Sequence, residues 1–441
     1  MIFRVVLILV AACVLTSISS AQTPPTAYAI THAKIFTLAG AVIDDGMLVI
    51  RDGKIAAVGA SVEVPAGAQV IDAKGLQVYP GLFDGITQMG LREIGAVSAT
   101  VDSNETGNYN PDVVAATAVS PSSEHIPVTR AAGITEVLAV PGSGGFDSFG
   151  SGGVIGGQAS AIHLAGWTID EMLLKKRAAM VVNWPEIETR TFDFTTFSRK
   201  EKPYSEAKQE YEKRVNEITD WLDRARHYSQ ALEKGTPAKF DRDVKLEALV
   251  PVVRGELALL VFADRAREIR NAAEFCDKQN LKMILAGGAE SYKVKDLLRS
   301  KGIPVILRPV LTSPLDEDDP YDRLLSQPAE LAAAGVKFAF ASFDNSFARR
   351  LGQNAANAVA HGLPYDEALR AVTLYPAQIL GLADQIGTLE QGKVANIIVT
   401  NGDPLELTTD VRYLFIRGQL TSTNNRHLSL YEKYSKRPKA Q

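Results

Sequence analysis

Cysteine is almost missing from this 441-residue chain. Its two cysteines are Cys13 and Cys276. Cys13 lies in an apolar leader whose removal leaves Cys276 alone, which excludes a disulfide framework for the mature chain. Cys276 stands among Ala272, Ala273 and Phe275 on an expected helix and reads as a buried, unreactive thiol. Histidine is scarce too, at six residues. His32 and His427 lie near the ends, His227 in a charged segment and His361 at a helix end. His125 and His163 have no partner two or four residues away, so neither forms the close pair a metal-binding motif uses. There is no surplus of one charge: the net charge is −4 and the pI near 6.0. Both signs are interspersed, which argues against the basic face that nucleic acid requires. No apolar run is long enough to favour a membrane span. A Gly-x-Ser-x-Gly elbow and a Cys/His pair are also lacking, so nothing points to serine or thiol nucleophilic hydrolysis.

What is present begins with an address. Arg4 is a positive n-region, Val5 to Leu15 an apolar h-region, and Ser19-Ser20-Ala21 a small-residue cleavage site before Gln22. The expectation is a signal peptide over residues 1–21, cleavage after Ala21 and export, to the periplasm. A competing lipoprotein site, Val10-Ala11-Ala12-Cys13, would leave an h-region of about six residues, shorter than such regions usually are.

Hydrophobic residues make up 46% of the chain, ample for a large core. The mature N-terminal part reads as short β segments, Tyr28–Leu38, Met47–Arg51, Lys54–Gly59 and Gln69–Asp72. They are punctuated by Asp44-Asp45-Gly46 and Asp52-Gly53, both hairpin-turn sequences. Ala395–Thr400 and Val411–Arg417 repeat the style near the C-terminus, so the two flanks are expected to join as one sheet domain. The middle alternates apolar strands (Ile134–Val140, Leu257–Phe262, Lys282–Ala286, Ile303–Leu307, Lys337–Ala341) with helices at Asp264–Lys278, Glu290–Ser300 and Asn345–His361. That alternation predicts an α/β fold, most economically a (β/α)8 TIM-like barrel. The expected division is a composite β-sandwich from 22–80 and 386–425 and a barrel over 81–385 with a helical insertion at about 185–245. Within that insertion, Tyr211, Val215, Ile218, Leu222 and Ala225 recur at helical spacing.

Several segments carry a family resemblance: Gly53-Lys54-Ile55-Ala56-Ala57-Val58-Gly59, Tyr79-Pro80-Gly81-Leu82-Phe83-Asp84, Gly133-Ile134-Thr135, Ala371–Ala377, Ile386–Lys393 and Asn396–Val399. In order and spacing the chain resembles the amidohydrolase superfamily, in its imidazolonepropionase-like branch, over essentially its whole mature length. The resemblance implies a (β/α)8 barrel with a composite β-sandwich and hydrolysis of C–N bonds by one or two zinc-type ions. Those ions would be held by His-x-His on the first barrel strand, a His after each of strands five and six, and an Asp after strand eight. Imidazole and carboxylate suit zinc, which lowers the pKa of a bound water to about 7.

Carried onto this sequence, those ligand positions fall on Ile86, Gln88, Phe262, Gly287 and Phe343. Three are apolar, one has no side chain, and an amide is a poor zinc ligand. A one-residue slip would put Asp344 in place of Phe343. The expectation is therefore no cofactor, with zinc only if a hydrolase survives in altered form.

Polar residues expected at the barrel mouth are Thr87, Gln88, Arg265 and Arg308 as ligand contacts, with Asp264 and Asp344 as a candidate acid/base pair. Both acids have a plainer reading as helix caps, and Arg308 one as half of a salt bridge. Glu290, Lys293 and Lys295 read as solvated charges. Pro141–Gln158 is densely glycine-rich without the Lys-Ser/Thr of a P-loop. It resembles a loop covering the site in this branch, although a β-hairpin fits it equally. Three functions remain open: a metal-free homologue binding a small polar or peptide-like molecule, a hydrolase with a divergent site, or a structural subunit paired with an active homologue or with itself.

Overall fold

A computed structural model describes residues 27–142, 152–193, 197–233 and 241–437. The expected leader with Cys13 and the centre of the glycine-rich stretch lie outside the described residues.

The chain first lays down β1 (Ala27–Ile35), β2 (Ile43–Arg51), β3 (Lys54–Gly59), β4 (Gln69–Asp72) and β5 (Gln77–Pro80). Asp52 and Gly53 both take positive φ, at 51° and 77°. That is the two-residue turn an Asp-Gly pair favours, and it sets Arg51 against Lys54. Asp44-Asp45-Gly46 is not a turn. It lies inside β2, where the pairing with β1 slips near Ala33 and Ile35.

The barrel strands follow as β6 (Leu82–Thr87), β7 (Ile134–Ala139), β8 (Ile155–His163) and β9 (Leu173–Asn183). After a hairpin of β10 (Arg190–Asp193) and β11 (Ser198–Glu201) come β12 (Leu259–Ala263), β13 (Met283–Gly287), β14 (Val305–Leu307) and β15 (Phe338–Phe340). The chain ends in β16 (Ile397–Thr400), β17 (Val411–Ile416) and β18 (Gln419–Thr421), then a helix at Arg426–Ser435.

The first and last strands form one sheet, ordered β18-β17-β16-β5-β1-β2-β3, with β4 also on β1. Lys54 bridges to Val394, and Ile55 N–H donates to Lys393 O. The sheet thus curls around its own core of Ile30, Ile35, Leu48, Ile50, Val78, Ile397 and Phe415. The second sheet runs β15-β14-β13-β12-β9-β8-β7-β6 and is nearly closed. Its interior is narrow because Gly85, Ala159, Ala161, Ala179, Ala286 and Ala341 leave room only for a few larger chains, Phe83, Leu260, Ile284 and Ile306 among them.

One strand departs from the expected (β/α)8 pattern. β8 runs antiparallel to both β7 and β9. A parallel strand needs a crossover long enough to carry the chain back across the sheet, usually through a helix. β7 and β8 pair antiparallel instead, with the glycine-rich link between them.

The insertion after β9 contains a long helix, Tyr204–Glu233, whose Ile218, Leu222 and Ala225 are buried. Tyr109 stacks on its Trp221 at 5.7 Å and donates its hydroxyl to Glu217 at 2.6 Å. These contacts draw the charged helix over the barrel.

Candidate functional site

Two places at the barrel mouth concentrate polar chemistry. The first is the seam where β15 returns to β6. Phe343 N–H donates to Ile86 O at 2.9 Å. The fully buried Asp84 accepts from Ser342 N at 2.9 Å and from Ser342 Oγ at 2.5 Å. Ser342 Oγ lies 2.7 Å from Asp344 O, and Thr87 Oγ1 donates to the same carbonyl at 2.9 Å. Burial pushes the Asp84 carboxyl up to about 7, against the pull of the Ser342 hydrogen bonds and with a small further push from Asp344. The seam sets the next residue in an uncommon conformation: Phe343 has φ +54°, an outlier for a bulky side chain. Its ring meets Phe262 edge-on with centroids 6.0 Å apart.

The second place is the rim beside β12, β13 and β14. Asp264 does not cap the helix Ala266–Lys278, whose N-cap is Arg265. Its carboxylate accepts from Ala289 N at 3.0 Å and pairs with Arg308 Nη1 at 3.0 Å. Gly287 makes this possible. It has φ +93°, and a Cβ there would stand 2.8 Å from Asp264 Oδ1. Asp344 caps no helix either, because Ala348–Arg350 and Leu351–Ala360 start from Phe347 and Arg350; its Oδ1 accepts from Phe347 N at 2.8 Å in the turn before them. The two acids are thus engaged with separate partners and share no contact, so the candidate acid/base pair is not formed.

Other expected site residues fall elsewhere. Thr87 and Gln88 are buried, not on a solvent rim. Arg265 turns outward to Asp316 at 3.0 Å. Glu290 is buried, accepts from Ala266 N at 2.7 Å and pairs with Lys293 at 2.9 Å, so it is not a solvated charge.

Between these features lies a cavity of about 290 Å³. Phe262, Phe343, Ala286 and Gly287 form part of its wall, with the Asp264–Arg308 pair alongside. The side nearest β9 is Trp184, Glu186 and Glu188, and Arg214 reaches it from the long helix. Asn183 ties the ends of the glycine-rich link to this rim, donating from Nδ2 to Gly142 O at 2.6 Å and Gly153 O at 2.8 Å. Glu188 and Asp264 add to burial in raising the Glu186 carboxyl, while Arg265 and Arg267 oppose them. Glu268 behind it is raised to about 7 by burial and by Glu186. Sequence reasoning missed Trp184, Glu186 and Glu188 because they follow a strand that carried no alternating pattern.

The donors at the expected metal positions do not fit a zinc-type ion. Ile86, Phe262 and Phe343 offer no lone pair, Gly287 has no side chain, and Gln88 supplies only a neutral amide. Histidine does not repair the set. His163 lies 3.2 Å from Asn396 Nδ2, His125 bonds Glu93 O, and His361 bonds Asn357 O. Among the described residues one group of three acids, Glu290, Asp316 and Asp319, has ligand atoms within 4.8 Å of one another. Lys293 and Arg265 already pair with two of them. No helix among the described residues is long and apolar enough to cross a membrane.

Comparison with known proteins gives the class. Residues 258–423 match the amidohydrolase family. The curated protein amidohydrolase tasK of Hapsidospora irregularis is 24% identical over 395 residues, covering 83% of this chain. The chain spans only 38% of that relative's length. An amidohydrolase from Thermotoga maritima shares the fold at a TM-score of 0.76 with 25% identity, over 90% of this chain and 99% of its own. A molinate hydrolase shares it at 0.54 with 16% identity, over 95% and 99%. The matched segment and the shared fold relate this chain to the amidohydrolases.

Proposed function

We propose that this protein is an exported, metal-free member of the amidohydrolase superfamily that binds a small polar or peptide-like molecule at the barrel mouth. The observation that carries this reading is the Phe262–Phe343 pair, 6.0 Å between centroids, standing where the family resemblance puts metal ligands. Two edge-to-face rings supply apolar contact and no donor for an ion. Beside them Asp264 is neutralised by Arg308, and Gly287 leaves no room for a ligating side chain. What remains is a partly apolar cavity with a few convergent polar groups, the usual form of a small-molecule site.

Elemental analysis of the purified protein tests the reading. No stoichiometric zinc, manganese or iron is expected; one ion per chain would replace it with the second reading, a hydrolase of C–N bonds with a divergent site. The relatives named as amidohydrolase and molinate hydrolase favour that alternative. Export rests on Arg4, the Val5–Leu15 run and Ser19-Ser20-Ala21. Mass spectrometry of the native protein should find Gln22 at the N-terminus; a retained Met1 or a lipid on Cys13 would overturn that part.

A further inference from the structure

The cavity at the mouth has an uneven balance of charge. Its lining contains three carboxylates, Glu186, Glu188 and Asp264, and two arginines. Arg308 is committed to Asp264 at 3.0 Å. Arg214 is the lining's other cation, since Glu210 on its own helix is held by Lys202 at 2.6 Å. Of the two other arginines near Glu186, Arg265 is bound to Asp316 at 3.0 Å. Glu186 makes no hydrogen bond or ion pair among the described residues and is repelled by Glu188 and Asp264, against a pull from Arg265 and Arg267. Three carboxylates against two arginines leave the lining with an excess of one negative charge.

Two further features mark what would neutralise it. The walls beside these acids are aromatic: Trp184, Phe262 and Phe343. Ring faces attract cations and stack on flat apolar groups. In addition, Trp184 is only 6% exposed, and its Nε1–H has no acceptor among the described residues. A buried indole N–H ordinarily finds a partner. Here the same wall offers an acidic edge, an aromatic face and an unanswered donor.

We propose that the cavity binds a small organic cation, an amine on a compact apolar body that also carries a hydrogen-bond acceptor. The ammonium sits against Glu186 and Glu188, the apolar body lies on Phe262 and Phe343, and the acceptor answers Trp184 Nε1–H. This rests on the ligand-binding reading above and adds the sign of the ligand's charge.

Calorimetric titration of the mature protein tests it with four probes of similar size. L-Phenylalaninol carries an ammonium, a hydroxyl and a phenyl ring. Phenethylamine lacks the hydroxyl, N-acetyl-phenylalaninol lacks the charge, and 3-phenylpropanoate reverses it. Phenylalaninol should bind most tightly, phenethylamine more weakly, and the neutral and anionic probes not measurably. In the double variant Glu186→Gln/Glu188→Gln the phenylalaninol affinity should fall by about tenfold or more. Neither residue is part of the core and both keep contact with solvent, so the variant should keep its fold, which circular dichroism checks. Trp184→Phe should erase the advantage of phenylalaninol over phenethylamine. Equal binding of the uncharged or anionic probe, an unchanged affinity in the double variant, or no binding by either amine would overturn the proposal. Preference for 3-phenylpropanoate by metal-free protein would leave the ligand-binding reading intact and remove only the cation. A stoichiometric metal with amine binding retained would do the reverse.

Discussion

Asp84 is the residue whose ionisation the fold opposes most clearly. It is fully buried at the barrel seam, and its carboxyl titrates near 7 in the folded protein against 3.8 in the open chain. Below about pH 4 both states carry the proton and Asp84 costs nothing. As pH rises, the unfolded chain releases its proton first, so stability falls until the folded carboxyl also ionises near pH 7. Asp84→Asn removes that titration. The amide keeps one acceptor for Ser342 N–H, and its Nδ2 can donate to Ser342 Oγ, which is free to turn its own proton to Asp344 O. Urea unfolding should therefore find the variant ahead of the native protein by about 1–2 kcal/mol at pH 5, where the unfolded chain has already released its proton. At pH 8 it should be the more stable by a few kcal/mol, on the order expected for a shift of this size. An equal difference at both pH values would show that the seam does not feel the Asp84 charge. The candidate acids chosen from sequence, Asp264 and Asp344, lie at strand ends where polar residues are expected. Asp84 lies inside a strand, where its neighbours Phe83, Gly85 and Ile86 disguise it as core.

Elements whose residues repeat with one period could be read directly. β12, β13, β14 and β15 are continuous apolar runs, and the helix Ala266–Lys278 is amphipathic; all were legible to within a few residues. The Asp52-Gly53 hairpin was legible because only a few residue pairs accept positive φ twice in succession. β8 and β9 were not read as strands. Ile155–His163 contains Gly156, Gly157, Ala159 and Ala161, small residues of weak strand preference that serve here to let a narrow barrel close. β9 changes character halfway, with Lys175, Lys176 and Arg177 outside the core and Ala178 to Val182 within it. Because both were missed, the reversal of β8 was missed with them, and the glycine-rich stretch stayed open between a covering loop and a hairpin. The insertion helix was legible from its spacing, but its reach to the cavity through Arg214 was not, since a surface arginine carries no local signal. The same limit applies to Glu186 and Glu188: they become a pair of interest only when the fold sets them beside aromatic walls.

At the scale of the whole molecule, the barrel and the curled sheet are joined through a buried polar cluster. Glu136 on β7 stands opposite His163 on β8 across the antiparallel ladder. Asn396, the residue before β16, reaches in from the sheet side. Its Nδ2 donates to Glu136 Oε1 and lies 3.2 Å from His163 Nδ1, while its Oδ1 accepts from Arg417 N at 2.7 Å and its carbonyl from Gly81 N at 3.0 Å. One side chain thus satisfies groups on two barrel strands and at the end of β17. Glu136, His163 and Asn396 are each no more than 5% exposed, so water cannot replace a lost partner without opening the junction. Asn396→Ala should cost about 2–4 kcal/mol, because it leaves the buried Glu136 carboxylate and the Arg417 backbone N–H each short of a bond. Asn396→Asp should cost more at neutral pH, since it replaces the donor facing Glu136 with a second carboxylate. Calorimetric melting of the three proteins gives the order: native highest, then Asn396→Ala, then Asn396→Asp. If Asn396→Asp melts with or above Asn396→Ala at pH 7, the junction is held by packing of the two cores and not by this cluster.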